Sequence, residues 1–405
     1  MAPRAFVSPT KTVATLLLLC AALAVVGFNF SHSLQGTDFP DFYCAARMLA
    51  QGQGHQLYNP EVQRQCQGRY AGRIGTLYIH PPFEALLYLA VAWLPMQRAY
   101  LLWSLLSLAC LAATARRLTC EALLPWDWRF VIAVSLTFVP LLLSLIQGQD
   151  SLLLLLLIVL AFTDLRQGRA FVSGCWLGLG LFKFQLILPI ALVLVFTQSK
   201  PYRNALAKAF ILVGLALAGV SAVICGWSVF LVYPKFLAHL QQQPFAGLVP
   251  QAMANFRGLD YLFLPRNSSW ASGAVLIFSA AAFIKTLTDW NRTRIELQTE
   301  PNLDAFDLAF ASTVLFTLMV SYHLNPHDLS LSLLPISLIL RHQPRRRPTP
   351  AAEWVTLALL GILFLPPLHL WALNIGAYTL VAIPMLTLFL INGSSGRQNA
   401  ATPRH

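Results

Sequence analysis

The side chains with chemistry in reach gather in one polar stretch: Thr37-Asp38-Phe39-Pro40-Asp41-Phe42-Tyr43, continuing through Arg47, Gly52 and Tyr58 to His80-Pro81-Pro82-Phe83-Glu84. A carboxylate at a membrane surface can take the proton of a hydroxyl within hydrogen-bond reach, so Asp38 and Asp41 are both candidates for a general base. Each is equally a candidate helix cap, because the residues running through Tyr43 to Met48 read as a helix whose first N–H groups need acceptors. Three further polar features stand out: the turn Gln147-Gly148-Gln149-Asp150, Lys183 within an otherwise apolar run, and the late group Ser321-Tyr322-His323-Leu324-Asn325-Pro326-His327-Asp328. A lysine at membrane depth is costly to bury and is a functional hypothesis by default. Lys183 could neutralise a phosphate, as could Arg257 in Asn255-Phe256-Arg257-Gly258-Leu259 or a protonated histidine; for Arg257 and the histidines a headgroup contact or an inter-helix hydrogen bond reads as well.

His323 and His327 have helical i, i+4 spacing, but Pro326 lies between them and no HExxH pattern occurs, so no catalytic metal is expected. No Walker loop, Gly-rich dinucleotide fingerprint or GxSxG elbow appears, which leaves soluble nucleotide cofactors unsupported.

The elements that must position these groups are helices in lipid. The chain has 405 residues, 57% of them hydrophobic and 11% charged, with mean hydropathy +0.62. A soluble domain of that composition would expose large apolar patches. In hydrocarbon only helices and closed barrels satisfy their backbone, and the apolar runs are too long and continuous for barrel strands. The expected class is an all-α integral membrane protein of eleven to thirteen membrane segments in one domain, residues 1–391, followed by a disordered cytoplasmic tail, 392–405.

The net charge of +12 sits in short loops, without the aromatic interleaving of a nucleic-acid surface, and marks the cytoplasmic side. These clusters are Arg116-Arg117 with Arg129, Arg166 with Arg169, Lys200 through Arg203 to Lys208, Lys285 through Arg292 to Arg294, and Arg341 through Arg347. Placing them inside puts both termini in the cytoplasm and every unusual polar motif outside, in a first insert at 31–81, a second at 226–269, and the turns near 149 and 323. The first apolar run, 12–30, reads as a signal anchor. Segment 82–94 is too short for a simple span and should re-enter or lie displaced. Segment 171–196 lies between two inner clusters and is expected to form two short helices meeting outside around Lys183; the alternative is one long helix with a snorkelling lysine. Cys44 and Cys66 fall in the first insert, where an oxidising compartment permits a disulfide or leaves two thiols.

In their order, Asp38-Phe39-Pro40 with Phe42-Tyr43, Ala45-Ala46-Arg47, Gly52, Leu57-Tyr58 and His80-Pro81-Pro82-Phe83 resemble the opening signature of glycosyltransferase family 87. Gly148-Gln149, Gly178-Leu179-Gly180-Leu181-Phe182-Lys183 with Gln185, Asn255 with Arg257-Gly258-Leu259, and Ser321-Tyr322 with His327-Asp328 are similar to later parts of the family pattern. The chain departs from it at Lys183-Phe184-Gln185, where the family usually has Lys-Pro-Gln, and so lacks a helix-breaking proline there.

The resemblance implies a GT-C-type helical bundle in the inner or plasma membrane, with an extracytoplasmic site and an inverting, metal-independent reaction. It implies a polyprenyl-phosphate sugar as donor, most simply a mannosyl one, and a glycan or glycolipid as acceptor. It also implies that the base is Asp38 rather than Asp41, with Asp41, Tyr43, His80, Gln149, Lys183, Asn255, Arg257, His323, His327 and Asp328 as substrate-contacting positions. Membrane lipids are the other expected partners; nucleic acid is not one. The competing readings are a lipid-linked glycan flippase, and an O-antigen polymerase or ligase using lipid diphosphates. Transporters commonly show internal repeats and ionisable groups at the midplane; no repeat is visible here, which favours the enzyme.

Overall fold

The computed structural model describes residues 37–72, 75–121, 123–240, 249–263, 269–299, 303–342 and 350–394. The expected first span at 12–30 and residues 395–405 of the expected tail lie outside them; residues 392–394, expected to be disordered, are instead the end of the helix Ala382–Ser394. Among the described residues every regular element is helical and there is no strand.

The first insert holds α1 (Phe39–Ala50) and α2 (Pro60–Ala71), and a 3-10 stretch, Pro82–Tyr88, follows it. Next come α3 (Met96–Cys120), the short pair α4 (Trp128–Ser135) and α5 (Val139–Gln147), and α6 (Ser151–Arg166). The run α7 (Ala170–Leu179) and α8 (Phe184–Thr197) flanks a 3-10 turn at Gly180–Lys183 and leads into α9 (Lys200–Cys225). The second insert carries α10 (Val229–Ala238) and α11 (Phe256–Phe263). The chain continues with α12 (Ser269–Thr299), α13 (Leu303–Val320), the 3-10 stretch Pro326–Ser332, α14 (Leu333–His342), α15 (Pro350–Leu363), α16 (Pro366–Asn374) and α17 (Ala382–Ser394).

Five helical runs among the described residues are long and apolar enough to cross a membrane, and up to seven if each of two bent pairs is one span. The sequence reading counted eleven to thirteen segments, several of which are short or broken. The expected span at 130–146 is α4 and α5, bent by 80°, and that at 354–366 runs into α16 with a 58° bend. Pro140 and Pro366 open the second helix of each pair, where a missing N–H costs nothing but an uninterrupted helix could not pass. Segment 82–94 forms a 3-10 stretch, Pro82–Tyr88, followed by turns, and is not among the runs long and apolar enough to cross a membrane.

Length and composition alone would pass Ala170–Thr197 as one 28-residue span, yet the packing requires it to double back. An added Cβ on Gly174 would meet Leu206 and Ala209, one on Gly178 would meet Phe210 and Val213, and Gly214 faces Leu181. These pairs advance together, so α7 runs parallel to α9. Thr197 is three residues from Lys200 and can lie no more than about 10 Å away, whereas an unbroken 28-residue helix would carry it roughly 40 Å off. The chain is therefore two short helices meeting at Lys183, as the charge pattern led us to expect. The turn forms at Gly180–Lys183 without the family's proline. The glycines are needed because α7 and α9 meet closely: a Cβ on Gly174 would stand 2.3 Å from the Leu206 carbonyl oxygen.

Two polar ends result. At one, Arg117 and Arg169 share Asp164, and Arg166 Nε lies 2.7 Å from Asp307, which His342 also approaches at 3.2 Å. At the other end of α6, Ser151 meets Asp328 and Lys183. The 16 residues of α6 separate the two ends by roughly 24 Å, most of a bilayer core.

Candidate active site

The site lies where the start of α1, the turn before α6, the tip of the α7–α8 hairpin and the Asn325–Asp328 segment converge. Pro40 in the first turn of α1 and Asp41 behind it suit a helix start. Asp38 occupies the N-cap position, but its side chain makes no capping bond. Its backbone N–H donates to Gln147 Oε1 at 2.9 Å, and its Oδ2 accepts from Gln149 Nε2 at 2.7 Å. Oδ1 has no partner among the described residues. Burial raises the Asp38 pKa above the usual carboxylate value, opposed by the Gln149 bond and by Lys183.

Asp41, one turn along, does a different job. It is buried; Gln67 Nε2 donates to its Oδ1 at 2.8 Å and the Thr76 hydroxyl to its Oδ2. Gln67 also holds the backbone of Gly75 and Thr76, so Asp41 ties α1 to α2 and the strap before His80. Tyr43 is buried too: its hydroxyl donates to the Leu94 carbonyl at 2.8 Å, and its ring lies beneath the Arg47 guanidinium. These two belong to the scaffold of the insert rather than to the cluster around Asp38. Cys44 and Cys66 are free thiols, Cys66 Sγ lying 3.9 Å from the Cys44 carbonyl oxygen.

The turn that carries Gln149 is shaped by Gly148, whose φ of 67° lies in the left-handed region and whose Cβ would collide with Phe39 at 2.7 Å. Tyr88 and Trp103 donate to the carbonyls of Gly148 and Gln149. Gln149 bridges the two halves of the site, its amide nitrogen on Asp38 and its oxygen 3.4 Å from Lys183 Nζ.

Lys183 is wholly buried. Its Nζ lies 2.7 Å from Asp328 Oδ1, 3.0 Å from Asp150 Oδ1 and 2.9 Å from Ser151 Oγ. Asp328 also accepts from Ser151 Oγ and from the Asn325 backbone, closing a capping box at the 3-10 start. Burial pushes the Asp328 carboxyl upward, but the lysine, His327 and these hydrogen bonds outweigh it and hold the pKa well below the usual range. Its neighbour His327 is kept uncharged, burial lowering its pKa to about 4 against the pull of Asp328. His323 is likewise lowered by burial to about 4, and His80 to about 3.

Asn255 acts through its neighbours: its Oδ1 accepts from Gly258 N at the start of α11 and its Nδ2 donates to the Ser321 carbonyl. That bond brings Arg257 over Tyr322, with Nη1 donating to the Tyr322 carbonyl at 2.9 Å and the guanidinium 4.0 Å from the ring centre. Gly258 is required there, since any Cβ would fall 1.8 Å from the Met253 carbonyl oxygen.

Sequence reasoning assigned no role to Glu84, Asp150 or Ser151. Glu84 is fully buried with Oε2 3.0 Å from His80 Nδ1, and burial and then Asp150 push its carboxyl well above the usual range. The available signal was a carboxylate four residues after a histidine in a segment otherwise bound for the interior. The described Asp and His side chains close enough to share a cation are Asp304, Asp307 and His342, at the opposite end, where Asp307 already faces Arg166.

The two inserts meet above the site. Tyr233 stacks on Tyr58 and donates to the Ile79 carbonyl; Tyr58 and Tyr78 hold the carbonyls of His80 and Pro81. Between the inserts lies a cavity of about 320 Å³ with His80, Gln185, Tyr233, Tyr322 and His323 in its walls.

A sequence model of glycosyltransferase family 87 matches residues 78–321, well over half of the chain. The match takes in His80, Gln149, Lys183, Asn255 and Arg257; Asp38 lies before it and His323, His327 and Asp328 after it. No curated protein matches the chain.

Proposed function

The chain belongs to glycosyltransferase family 87, and we propose that it transfers a hexose, mannose in the simplest case, from a polyprenyl phosphate to a glycan or glycolipid acceptor on the extracytoplasmic face. The bundle is read as a GT-C-type fold in the inner or plasma membrane. Asp38 is the general base. It takes the proton of the acceptor hydroxyl as that oxygen bonds to the anomeric carbon, while the bond from that carbon to the phosphate oxygen breaks with inversion and the lipid phosphate departs. No metal takes part.

The observation that carries this reading is the state of Asp38. It stands at a helix start without capping it, one oxygen is held by Gln149, and the other is unclaimed among the described residues. A carboxylate aligned on one side and unclaimed on the other suits proton abstraction, and its raised pKa makes it a stronger base than a free aspartate.

The departing phosphate needs a cation, and three kinds of group were candidates. Lys183 is committed to Asp150 and Asp328, and burial keeps the three histidines neutral. Arg257 is only partly buried, and its Nη1 donates to a backbone carbonyl, that of Tyr322. It is the group assigned to the phosphate, an electrostatic role that Arg suits.

The test is turnover by purified protein in nanodiscs loaded with polyprenyl-phosphate mannose and other polyprenyl-phosphate hexoses. Asp38→Asn should lower the rate by about 10²–10⁴, and chelators should leave the wild-type rate unchanged. Equal rates for the two proteins would remove Asp38 as the base. Movement of sugar lipid across the bilayer without transfer would favour the flippase reading, and turnover of lipid diphosphates alone the polymerase reading. An Asp38→Cys variant should react with an impermeant thiol reagent applied from outside; labelling from the inside alone would reverse the orientation.

A further inference from the structure

The C-terminal helices reach the Arg257 segment through a chain of hydrogen bonds that begins with a missing one. In an unbroken helix the Leu363 carbonyl would accept from the N–H four residues on, and that residue is Pro367, which has none. The pair α15–α16 bends there by 58°, and the freed carbonyl accepts instead from His369 Nε2 at 2.8 Å. A carbonyl cannot donate, so Nε2 carries a proton. The ring is buried, no carboxylate pairs with it among the described residues, and a buried imidazolium without one is costly. The ring is therefore neutral, and Nδ1 accepts from the Tyr378 hydroxyl, 2.8 Å away.

Tyr378 opens a 3-10 stretch, Tyr378–Val381, just before α17, and pinning its hydroxyl places the next residue. The Thr379 side chain is fully buried, and its hydroxyl donates to the Met253 carbonyl at 2.7 Å, across 126 residues of sequence. That bond lies against the start of α11. A Cβ built on Gly258 would fall 1.8 Å from the Met253 carbonyl oxygen and 2.2 Å from Thr379 Oγ1, so the bonded pair rests on the residue that follows Arg257.

What this contact does for Arg257 follows from the size of its helix. The eight residues of α11 are too few to keep a helix by themselves, so its place is set by what it is tied to. Asn255 Nδ2 ties its start to the Ser321 carbonyl at the end of α13, and Thr379 ties the same start to the stretch before α17. One anchor alone would leave the segment free to pivot; two anchors on different elements fix the direction in which Arg257 leaves it. Arg257 then spends Nη1 on the Tyr322 carbonyl.

We propose that Thr379 is a positioning residue for Arg257, held in place by Tyr378, His369 and the bend at Leu363. All four residues lie beyond the segment 78–321 that matches the family. The inference rests on the reading of Arg257 as the group that meets the departing phosphate, and deepens it by assigning what aims that group. Thr379 does not touch the substrate; it acts through Met253 and Gly258.

The experiment joins turnover to hydrogen–deuterium exchange of the peptide 253–263, on the full chain in nanodiscs. Thr379→Val keeps the shape of the side chain and loses the hydroxyl. It should raise exchange across 253–263 and lower kcat by about 10–10²-fold, the scale of misplacing a group by up to roughly 1 Å, with both KM values nearly unmoved. Thr379→Ser restores the hydroxyl and should recover most of both. In an Arg257→Gln background Thr379→Val should cost no further kcat, because the group it aims is gone, a result that a general loss of stability would not give. Tyr378→Phe should raise the same exchange by a smaller amount, and it serves in place of Thr379→Val if that variant fails to accumulate. Unchanged exchange in the variant used, Thr379→Ser as impaired as Thr379→Val, or a full second loss of kcat in the Arg257→Gln background would each overturn the proposal. The two readings fail separately: if Arg257→Gln turns over at the wild-type rate while Thr379→Val still loosens 253–263, the phosphate assignment falls and the clasp stands; if Arg257→Gln loses kcat while Thr379→Val changes neither exchange nor rate, the reverse holds.

Discussion

Asp38 and Gln149 are 111 residues apart in sequence and joined by a 2.7 Å hydrogen bond from the amide nitrogen to Oδ2. That bond stabilises the ionised aspartate, while burial works against it. A general base acts only when deprotonated, so the transfer rate should be full above the Asp38 pKa and fall as pH drops through it. The acid limb of kcat/KM should lie above the pH of an ordinary aspartate, near 3.9. Gln149→Leu removes one stabilising contact and should move the limb to higher pH. A limb that stays in place in that variant would show that Gln149 does not tune the base.

Lys183 is the sole lysine or arginine paired to either Asp150 or Asp328 among the described residues. Lys183→Met would leave two carboxylates buried without it, and breaking such a buried pair costs about 3–5 kcal/mol. The expected result is a large drop in unfolding temperature or failure to accumulate in the membrane. Adding Asp150→Asn and Asp328→Asn should restore much of the stability, since the uncompensated charge is then gone, though activity should not return with it. A stable single variant would mean that water, not the lysine, satisfies those carboxylates.

Arg257 touches the backbone and ring of Tyr322, and no carboxylate pairs with it among the described residues. Arg257→Gln should therefore leave thermal unfolding nearly unchanged, within about 0.5 kcal/mol as for most surface substitutions. Its kcat should fall by about 10²–10³ if the guanidinium meets charge developing on the departing phosphate. Arg257→Lys should recover part of that loss, because the charge returns without the planar fork. A rise in KM with kcat intact would place Arg257 in ground-state binding instead.

The hairpin at Lys183 was legible because charge placement is a one-dimensional signal: a run between two basic loops must return to the side it left. Glycines at 174 and 178 then let α7 approach α9 closely. The broken pairs α4–α5 and α15–α16 were not legible as such, since apolar content continues across each bend and only the prolines hint at a stop. Within the site, Lys183 announced itself as a charge in an apolar run, but its neutralisation by Asp150 and Asp328 did not, because those partners come from other segments. Glu84 was hidden for the same reason. Its carboxyl is pushed upward by burial first and by Asp150 second, and no spacing encodes either.

Asp38 and Asp41 are where sequence spacing alone left two equal readings, and substitution should separate them cleanly. Asp41 accepts from both Gln67 and Thr76 and has a buried side chain, so Asp41→Ala strands two donors and should cost about 1–3 kcal/mol of stability. Asp41→Asn keeps one acceptor and, with the Thr76 hydroxyl rotated to accept, should cost less. Both should retain kcat within a few-fold at temperatures where the fold persists, because the strap they loosen leads to His80 rather than to the reacting hydroxyl. Asp38→Asn should show the opposite pattern, since its side chain caps no helix: unfolding temperature nearly unchanged and kcat reduced by about 10²–10⁴. Thermal unfolding and single-turnover rates measured on the same preparations decide the matter. If Asp41→Asn loses turnover at unchanged stability while Asp38→Asn remains active, the base is Asp41, and the bond from Gln149 to Asp38 is a structural clasp.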